Sequence, residues 1–559
     1  MHIAPFPISH ITGGRGRAPA SVTAATVYPD KMAAPSVLWR RLRGPGLMAL
    51  LARLWGWDRA ARTPVFLLAP LVAPTVPPAP AQCPPFGYVC RGTHRFQWVG
   101  NLVPEFGISS TKVKILSTPS EFYQVMKTQV KIAKKRIILA SLYLGTGPLE
   151  QELVDCIEET LHSSGSSDLQ VSILLDFTRG SRGTKNSRTM LLPLLRRYPE
   201  RVRVSLFHTP NLRGLLRMLA PERFNETIGL QHMKVYLFDD NVILSGANLS
   251  DSYFTNRQDR YILLQGCSEV ADFFSELVGA VGDVSLQLHP DDSTQIEEMM
   301  VHPYEGDKSR YCDTARNRVM EVIEMARRKQ CDLRSTSFQS RDTDSEIDPP
   351  DTWVYPLVQM KPFGIQIDEL VTETLLTEAE RGDHLHLTTG YFNLTQGYMD
   401  LVLGTRANYN ILLASPEVNG FYGAKGIAGA IPAAYVHIEH QFYNAVRRLG
   451  QDQRVKLREY FRDHWTFHAK GLWLYPAGKD MPCLTLIGSP NFGYRSVHRD
   501  LEAQIALVTE SPDLQQQLHE EQLHLYNRST EVTPATFQHQ SRYVKLWVKL
   551  VTPLIKNFF

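Results

Sequence analysis

The segment HMKVYLFDDNVILSGAN, residues 232–248, decides the fold because a second segment, HAKGLWLYPAGKDMPCLTLIGSPN at 468–491, repeats its order of chemical groups. Each segment begins with His-x-Lys, continues into an apolar strand and ends in a small-residue turn that closes on asparagine. An acid follows each asparagine after the same interval (248 to 259 and 491 to 502), Asp259 in the first copy and Glu502 in the second. A lone His-x-Lys is a weak signal, whereas two copies in register predict an internal duplication.

Apolar runs typical of strands alternate with helical patterns around both segments. In the first half the strand-like runs occupy 136–144, 169–177, 201–207, 232–238 and 260–264, and a helical pattern occupies 148–161. In the second half the strand-like runs occupy 384–392, 409–417, 454–461, 468–475 and 503–508, and a helical pattern occupies 394–404. This alternation predicts an α/β fold with parallel strands. Because residues i and i+2 of a strand share a face, each His is expected to project together with its Lys, His232 with Lys234 and His468 with Lys470.

Composition shifts divide the chain into six predicted segments. In order, they are an acid-poor, Arg-rich N-terminus at 1–62, a Pro-rich linker at 63–94, a first α/β half at 95–331, a polar linker at 332–352, a second half at 353–540 and a basic amphipathic segment at 541–559. The stretch 47–62 places leucines on one helical face among arginines, which predicts a mitochondrial transit peptide; a disordered tail is the alternative. Prolines exclude a membrane span at 63–94.

The charge balance of the 559-residue chain is nearly neutral. Sixty Lys and Arg residues against 57 Asp and Glu residues give a net charge of +3, which argues against bulk capture of nucleic acid. A basic loop with Arg179, Arg182, Lys185 and Arg188 either meets an anionic second substrate or is a solvated loop. The seven scattered cysteines are interpreted as free thiols, without a disulfide framework or a zinc site.

The C-terminal segment, Arg542 to Phe559, is predicted to lie along a membrane surface. On a helical wheel its lysines form a basic stripe beside an apolar face of Val544, Trp547, Val548, Val551, Ile555 and Phe558. A helix docked on the protein's own core is the alternative, and Pro553 argues against a continuous helix.

The duplicated motif resembles that of the phospholipase D superfamily, H-x-K-x4-D followed by a G-S-x-N-like turn. The resemblance implies two α/β halves packed face to face, with one active site at their junction. His232 is expected to attack phosphorus as the nucleophile, and His468 to act as acid and base, although the reverse assignment is chemically allowed. The other residues expected in the site are Lys234, Asp239 and Lys470 among the catalytic groups, Asn248, Asn491 and Ser489 on the substrate phosphate, and Asp259 and Glu502 orienting the histidines. The second copy departs from the pattern, with Tyr475 in place of Asp. Asp239 is therefore expected to shape its strand end more than to take part in the chemistry, and its loss in the second copy need not disable the site. No metal and no cofactor are expected.

Longer stretches resemble the mitochondrial phosphatidylglycerophosphate synthases of eukaryotes, among them LYLGTGPLEQELVDC, WTFHAKGLWLY and LTLIGSPNFGYRSVHRDLEAQIA. This resemblance implies that CDP-diacylglycerol and glycerol 3-phosphate are the substrates and CMP and phosphatidylglycerophosphate the products. It also implies a peripheral enzyme on the matrix side of the mitochondrial inner membrane that does not bind nucleic acid. A hydrolase of the same superfamily, either phospholipase or nuclease, and a non-catalytic phospholipid-binding scaffold remain as alternatives.

Overall fold

The computed structural model describes residues 93–164, 168–219, 225–339, 349–424 and 429–558, all within one compact unit, Cys83–Phe559. The predicted N-terminal segment 1–62 and residues 63–92 of the Pro-rich linker lie outside the described residues. Both therefore remain predictions.

Two mixed β-sheets form the frame of this unit. The strands of the first sheet, in spatial order, are β11 (Thr294–Gln295), β10 (Leu286–Leu288), β5 (Val202–Phe207), β4 (Gln170–Asp176), β3 (Arg136–Ala140), β6 (Val235–Phe238), β7 (Asn241–Ser245), β9 (Tyr261–Leu264) and β2 (Val113–Leu116). Those of the second are β1 (Phe106–Ile108), β12 (Thr352–Met360), β20 (Glu502–Thr509), β19 (Leu484–Gly488), β18 (Gly471–Tyr475), β14 (His384–Thr389), β15 (Asn408–Ala414), β16 (Val455–Tyr460) and β21 (Ser529–Glu531), and β13 (Ile365–Gln366) pairs with β12. A short parallel pair, β8 (Arg257–Gln258) with β17 (Thr466–Phe467), joins the halves.

The same strand order recurs in both sheets, which confirms the predicted duplication. The series β5-β4-β3-β6-β7-β9 in the first sheet corresponds to β16-β15-β14-β18-β19-β20 in the second. The first three strands of each series are parallel to one another, and the remaining pairs are antiparallel. The prediction of parallel strands is therefore wrong for half of each series. The two-residue turn at 239–240 shows why, since so short a connection allows only antiparallel pairing.

The two sheets pack against each other and carry helices on their outer faces. Val235 and Leu237 of β6 share one buried core with Ile505 of β20, so this core lies between the halves. Tyr236, whose side chain points the other way, belongs to a separate core beneath the helices of the first half. This layering confirms the predicted fold class of two similar α/β halves packed face to face.

The helices include one at each of the two helical patterns in the sequence, 148–161 and 394–404. In chain order they are α1 (Pro119–Ile132), α2 (Pro148–Ser163), α3 (Phe177–Gly180), α4 (Ser187–Arg197), α5 (Gly214–Leu219), α6 (Asp251–Thr255), α7 (Ser268–Asp283), α8 (Lys308–Gln339), α9 (Ile367–Thr377), α10 (Gln396–Gly404), α11 (Ile431–Arg448), α12 (Tyr494–His498), α13 (Pro512–Tyr526) and α14 (Leu546–Ile555). None of the described helices is long and apolar enough to cross a membrane.

The boundary between the halves is less simple than the predicted segments suggest. Strand β1, which lies within the predicted first half at 95–331, pairs with β12 in the second sheet. Helix α8 runs on through Gln339, so the predicted polar linker at 332–352 begins inside a helix.

The two His-x-Lys segments lie just before β6 and β18. The sequence analysis placed them on these strands, and that prediction is wrong. Here the chain leaves its own sheet and bonds to the other half. The backbone N–H of His232 donates to the carbonyl of Leu501 at 2.9 Å, and that of His468 donates to the carbonyl of Gln258 at 2.8 Å. These bonds place each histidine at the junction.

The C-terminal helix α14 is docked on one face and exposed on the other. Val544 and Val548 pack against Ala434 and Val436 of α11, so the predicted membrane face is wrong for these two valines. Trp547 of the predicted face is exposed, together with Leu546, Leu550 and Leu554, and the helix continues through Pro553.

Four described cysteines, Cys156, Cys267, Cys312 and Cys483, are free thiols, as predicted. Cys331 is disulfide-bonded, so the prediction is wrong there. The spacing of cysteines around Cys331 carried no signal for this bond.

Candidate active site

Two buried imidazoles, each held by an acid from the opposite half, form the centre of the junction. Nδ1 of His232 lies 2.9 Å from both carboxylate oxygens of Glu502. Nδ1 of His468 lies 2.6 Å from Oδ2 of Asp259. The prediction paired the histidines with these two acids but did not foresee that both contacts cross between the halves.

The backbone explains the crossing. Parallel pairing of β8 with β17 sets Phe467 opposite Gln258, so the next residues, His468 and Asp259, meet side by side. On the other side of the junction Gln231 pairs in parallel with Leu501, which brings His232 beside Glu502 in the same way. One local arrangement is thus used twice.

Burial controls the charge of these groups. It lowers the pKa of His232 and of His468 well below 6.5, and neighbouring lysine charges add to the effect. Burial therefore favours the neutral form of both imidazoles. Burial also raises the pKa of Asp259 and of Glu502, opposed in each case by a nearby lysine ammonium.

The two lysines of the motif are fully buried at the site. Nζ of Lys234 donates to the backbone carbonyl of His232 at 2.6 Å. Nζ of Lys470 lies 2.7 Å from Nδ1 of His468 and 3.4 Å from Oδ2 of Asp259. Burial lowers the pKa of both ammonium groups, most strongly that of Lys234. An anionic phosphoryl group bound between the histidines would balance the positive charge of these two ammonium groups.

The asparagines that close the two turns retain unused hydrogen-bonding capacity. Oδ1 of Asn248 and Oδ1 of Asn491 are buried and accept no hydrogen bond among the described residues. Ser489, which was predicted to bind substrate phosphate, does not have this freedom. Its hydroxyl is fully buried and bonds both backbone groups of Ala503 at 3.1 Å, so it fastens the turn to β20.

Asp239 lies away from the site, which contradicts its inclusion among the catalytic groups and agrees with the expectation that it shapes its strand end. It lies in the turn at the far end of β6 from His232, with φ at 52°. Its carboxylate accepts the backbone N–H groups of Lys134, Lys135 and Arg136 at 2.8–3.2 Å. The acid of the motif therefore fixes the start of β3, and Tyr475 replaces it in the second half without loss to the site.

A tyrosine makes the two histidines unequal. The hydroxyl of Tyr253 lies 3.2 Å from Nε2 of His468 and accepts a hydrogen bond from Nδ2 of Asn248 at 3.1 Å. His232 has no such partner at Nε2 among the described residues. Sequence inspection missed Tyr253 because α6, which carries it, lies between the motif asparagine and the acid, in a stretch without a recognised pattern.

One group of described residues has the geometry for a metal ion. Single ligand atoms of His232, Asp500 and Glu502 lie within 4.8 Å of one another. These atoms already have partners, however. Glu502 bonds His232 and also accepts from the Ser496 hydroxyl, while Asp500 bonds Nε of Arg495 at 2.9 Å and the N–H of Leu230 at 3.0 Å. The donor set therefore fits an internal hydrogen-bond network better than a cation.

Acids neutralise most of the basic loop that was considered for an anionic substrate. Arg182 pairs with Glu226 at 2.7 Å and Arg188 with Asp292 at 2.6 Å, while Arg179 lies over the Tyr143 ring. Lys185 is exposed.

Two α/β halves that share one paired His-Lys centre are the arrangement that the resemblance to the phospholipase D superfamily implies. No protein-family model matches the chain. A solved phosphatidylserine synthase from Haemophilus influenzae has the same fold, with a TM-score of 0.62 and 20% sequence identity over 83% of this chain and 98% of that one.

Curated relatives place the chain more closely. It is 68% identical over 555 residues to a mouse protein named "CDP-diacylglycerol--glycerol-3-phosphate 3-phosphatidyltransferase, mitochondrial", covering 94% of this chain and 100% of the relative. The human protein of the same name is 67% identical over 94% of this chain and 99% of its own length. The chain belongs to this family of phosphatidyltransferases, as the sequence resemblance predicted.

Proposed function

We propose that the protein transfers the phosphatidyl group of CDP-diacylglycerol to glycerol 3-phosphate through a phosphohistidine. The products are CMP and phosphatidylglycerophosphate, and the reaction is the committed step towards phosphatidylglycerol and cardiolipin. The observation that carries the proposal is the pair of buried imidazoles at the junction, each held by an acid from the opposite half. A double-displacement reaction needs a nucleophile and a second proton-transfer group on opposite sides of one phosphorus.

In the first step Nε2 of His232 attacks the phosphatidyl phosphorus, and the bond from phosphorus to the CMP oxygen breaks. His232 suits this role because its Nδ1 is held by Glu502, while its Nε2 is unpartnered among the described residues. Its low pKa keeps the attacking lone pair free. CMP leaves as a phosphate monoester, whose second pKa is about 6, so departure at pH 7 needs little help from an acid.

In the second step His468 removes the proton from the sn-1 hydroxyl of glycerol 3-phosphate. The oxygen bonds to phosphorus as the bond from phosphorus to His232 breaks. Asp259, at 2.6 Å from Nδ1, stabilises the imidazolium that forms on His468. Lys234 and Lys470 balance the charge on the phosphoryl oxygens, and the side-chain N–H groups of Asn248 and Asn491 donate hydrogen bonds to them.

The decisive experiment is incubation of the purified protein with labelled CDP-diacylglycerol, with and without glycerol 3-phosphate. We expect labelled phosphatidylglycerophosphate only when the acceptor is present. Phosphatidic acid as the main product in both reactions would identify a hydrolase instead. A folded protein with no turnover at all would leave only a phospholipid-binding scaffold.

Two exposed apolar elements support contact with a membrane surface. On α14, Leu546 and Leu550 are 69% and 67% exposed, and Lys545 and Lys549 flank them. On α5 the exposed apolar side chains are Leu215, Met218 and Leu219. Apolar residues flanked by lysines are typical of interfacial helices, whose cations meet anionic headgroups.

Arg499 contacts one residue that follows each of these elements in the chain. Its Nη1 donates to the carbonyl of Thr227, downstream of α5, at 2.8 Å, and its guanidinium lies 4.3 Å over the ring of Phe558, just after α14. Glu502, which holds His232, follows three residues later. The lipid donor would therefore approach the nucleophile from the membrane side, with its acyl chains remaining in the bilayer.

The site of action that we propose is the matrix side of the mitochondrial inner membrane. It is supported by the word "mitochondrial" in the names of the relatives and by the acid-poor N-terminus of this chain. Deletion of residues 1–80 should send the protein to the cytosol while activity in vitro survives. Cytosolic retention of the full-length protein would refute the targeting.

A further inference from the structure

A guanidinium without an acidic partner lies beside His468. Arg257 stacks on the ring of Tyr253, 4.6 Å from Cζ to the ring centroid, and the Tyr253 hydroxyl contacts Nε2 of His468. Nε of Arg257 donates to Oγ1 of Thr466 at 3.0 Å. No carboxylate of the described ranges lies within ion-pair distance of Arg257.

The same guanidinium packs close to the backbone of Gly420, together with the hydroxyl of Tyr391. A β-carbon placed on Gly420 would lie 2.9 Å from the hydroxyl oxygen of Tyr391 and 3.5 Å from Nη2 of Arg257. The Tyr391 ring meets the imidazole of His468 edge to face, with 5.7 Å between the ring centroids. A cation and a hydroxyl therefore converge beside the second histidine, and the absence of a side chain at Gly420 permits their close approach.

Comparison of the two halves shows that this charge is not a product of the duplication. Arg257 lies two residues before Asp259, and Asp500 holds the same place before Glu502. Asp500 is neutralised by Arg495 at 2.9 Å. The His468 side of the junction thus carries an unmatched positive charge, and the corresponding position on the His232 side does not.

We infer that Arg257 and Tyr391 form the subsite for the phosphate group of the acceptor, glycerol 3-phosphate; this inference rests on the proposed function. The acceptor hydroxyl must reach Nε2 of His468, and its phosphate lies at the other end of a three-carbon chain. The ring of Tyr253 lies between Arg257 and His468. Arg257 can therefore bind the phosphate at one end of the acceptor while the hydroxyl at the other end reaches His468. Guanidinium is the side-chain group best matched to a phosphate dianion.

The test compares Arg257→Gln with the wild-type enzyme in two reactions. In the transfer reaction the KM for glycerol 3-phosphate should rise about 10- to 100-fold, because loss of a charge-assisted hydrogen bond usually weakens binding by this factor. In CMP exchange into CDP-diacylglycerol without acceptor, the rate should fall by no more than about threefold, because this reaction does not use the subsite. Arg257→Lys and Tyr391→Phe should give intermediate KM values.

Arg182→Gln is the matched control, because Arg182 is an arginine that already has an acidic partner, and its KM should equal that of the wild type. An unchanged KM in Arg257→Gln would overturn the subsite. An equal loss of exchange and transfer would also overturn it, by placing Arg257 on the CMP phosphate or in a purely structural role. If the wild-type enzyme itself exchanged no CMP, the phosphohistidine route would fail, whereas the KM comparison would still judge the subsite.

Discussion

Glu502 and His232 belong to different halves of the duplication, yet both carboxylate oxygens of Glu502 lie 2.9 Å from Nδ1 of His232. Asp259 makes the reciprocal contact with His468 at 2.6 Å. A single half would therefore contain a His-x-Lys segment without the acid that orients its imidazole. The reactive site exists only when the two halves are folded against each other.

The crossing predicts which half-reaction each acid supports. Glu502→Gln should slow CMP release about 100-fold, because the amide no longer fixes the tautomer of the nucleophile His232. Asp259→Asn should slow mainly the step in which the acceptor is used, because it acts on His468. Rapid-quench measurement of CMP release and of lipid product separates the two steps. The opposite pattern would show that the roles of the two histidines are reversed.

Substitution of either histidine should stop turnover, but the two variants should differ in whether they still release CMP. Both His232→Ala and His468→Ala are expected to reduce steady-state transfer at least about 1000-fold. His468→Ala should still release one equivalent of CMP and retain labelled lipid on the protein, because the nucleophile is intact. A CMP burst in His232→Ala instead of His468→Ala would reverse the assignment.

The pH profile should reflect the burial of the imidazoles. Because burial lowers the pKa of His232 well below 6.5, the neutral nucleophile persists as pH falls and is protonated only near the lowered value. The value of kcat/KM for CDP-diacylglycerol, measured from CMP release, should therefore stay level through pH 6.5 and decline only below it. A decline with an apparent pKa at or above 6.5 would contradict a buried, neutral nucleophile.

The sequence predicted the parts of the site better than their connections. The paired histidines, lysines and asparagines recur at fixed spacing, so one chain was enough to find them. The partner of each acid depends on the pairing of β8 with β17, which joins residues more than 200 positions apart. Asp239 and Ser489 match the motif as well as the paired histidines and lysines do, but their oxygens bond backbone groups, which spacing does not reveal.

Asp239 should therefore matter for stability and not for chemistry. Asp239→Ala removes the acceptor of the N–H groups at 134–136 and should lower the free energy of unfolding by about 2 kcal/mol. The kcat of the folded fraction should be unchanged. Asp240→Ala is the control, because that carboxylate meets only the Arg136 side chain at 3.3 Å and should cost less than about 0.5 kcal/mol in a denaturant titration. Lost kcat with unchanged stability would return Asp239 to the catalytic set.

The exposed face of α14 provides a test of the proposed contact with a membrane surface. Removing the segment from Arg542 onward is a poor test, because Arg542 pairs with Glu459 at 2.6 Å and with Glu417 at 3.0 Å. Its loss would leave Glu459 buried beside Glu439 without a counter-charge, and burial already raises the pKa of both. Truncation would therefore confuse membrane binding with folding, and substitutions on the exposed face are required.

The triple substitution Trp547→Gln, Leu550→Gln and Leu554→Gln removes exposed apolar area and leaves the docked face intact. Binding to vesicles that contain anionic lipid should weaken at least about 10-fold, as loss of these side chains from the acyl boundary requires. Activity on detergent-solubilised CDP-diacylglycerol should be retained, because α14 contributes no group to the histidine pair. Val548→Ala, on the docked face, should lower thermal stability without weakening vesicle binding. Sedimentation of the triple variant with vesicles at the wild-type level would show that α14 is not the membrane contact.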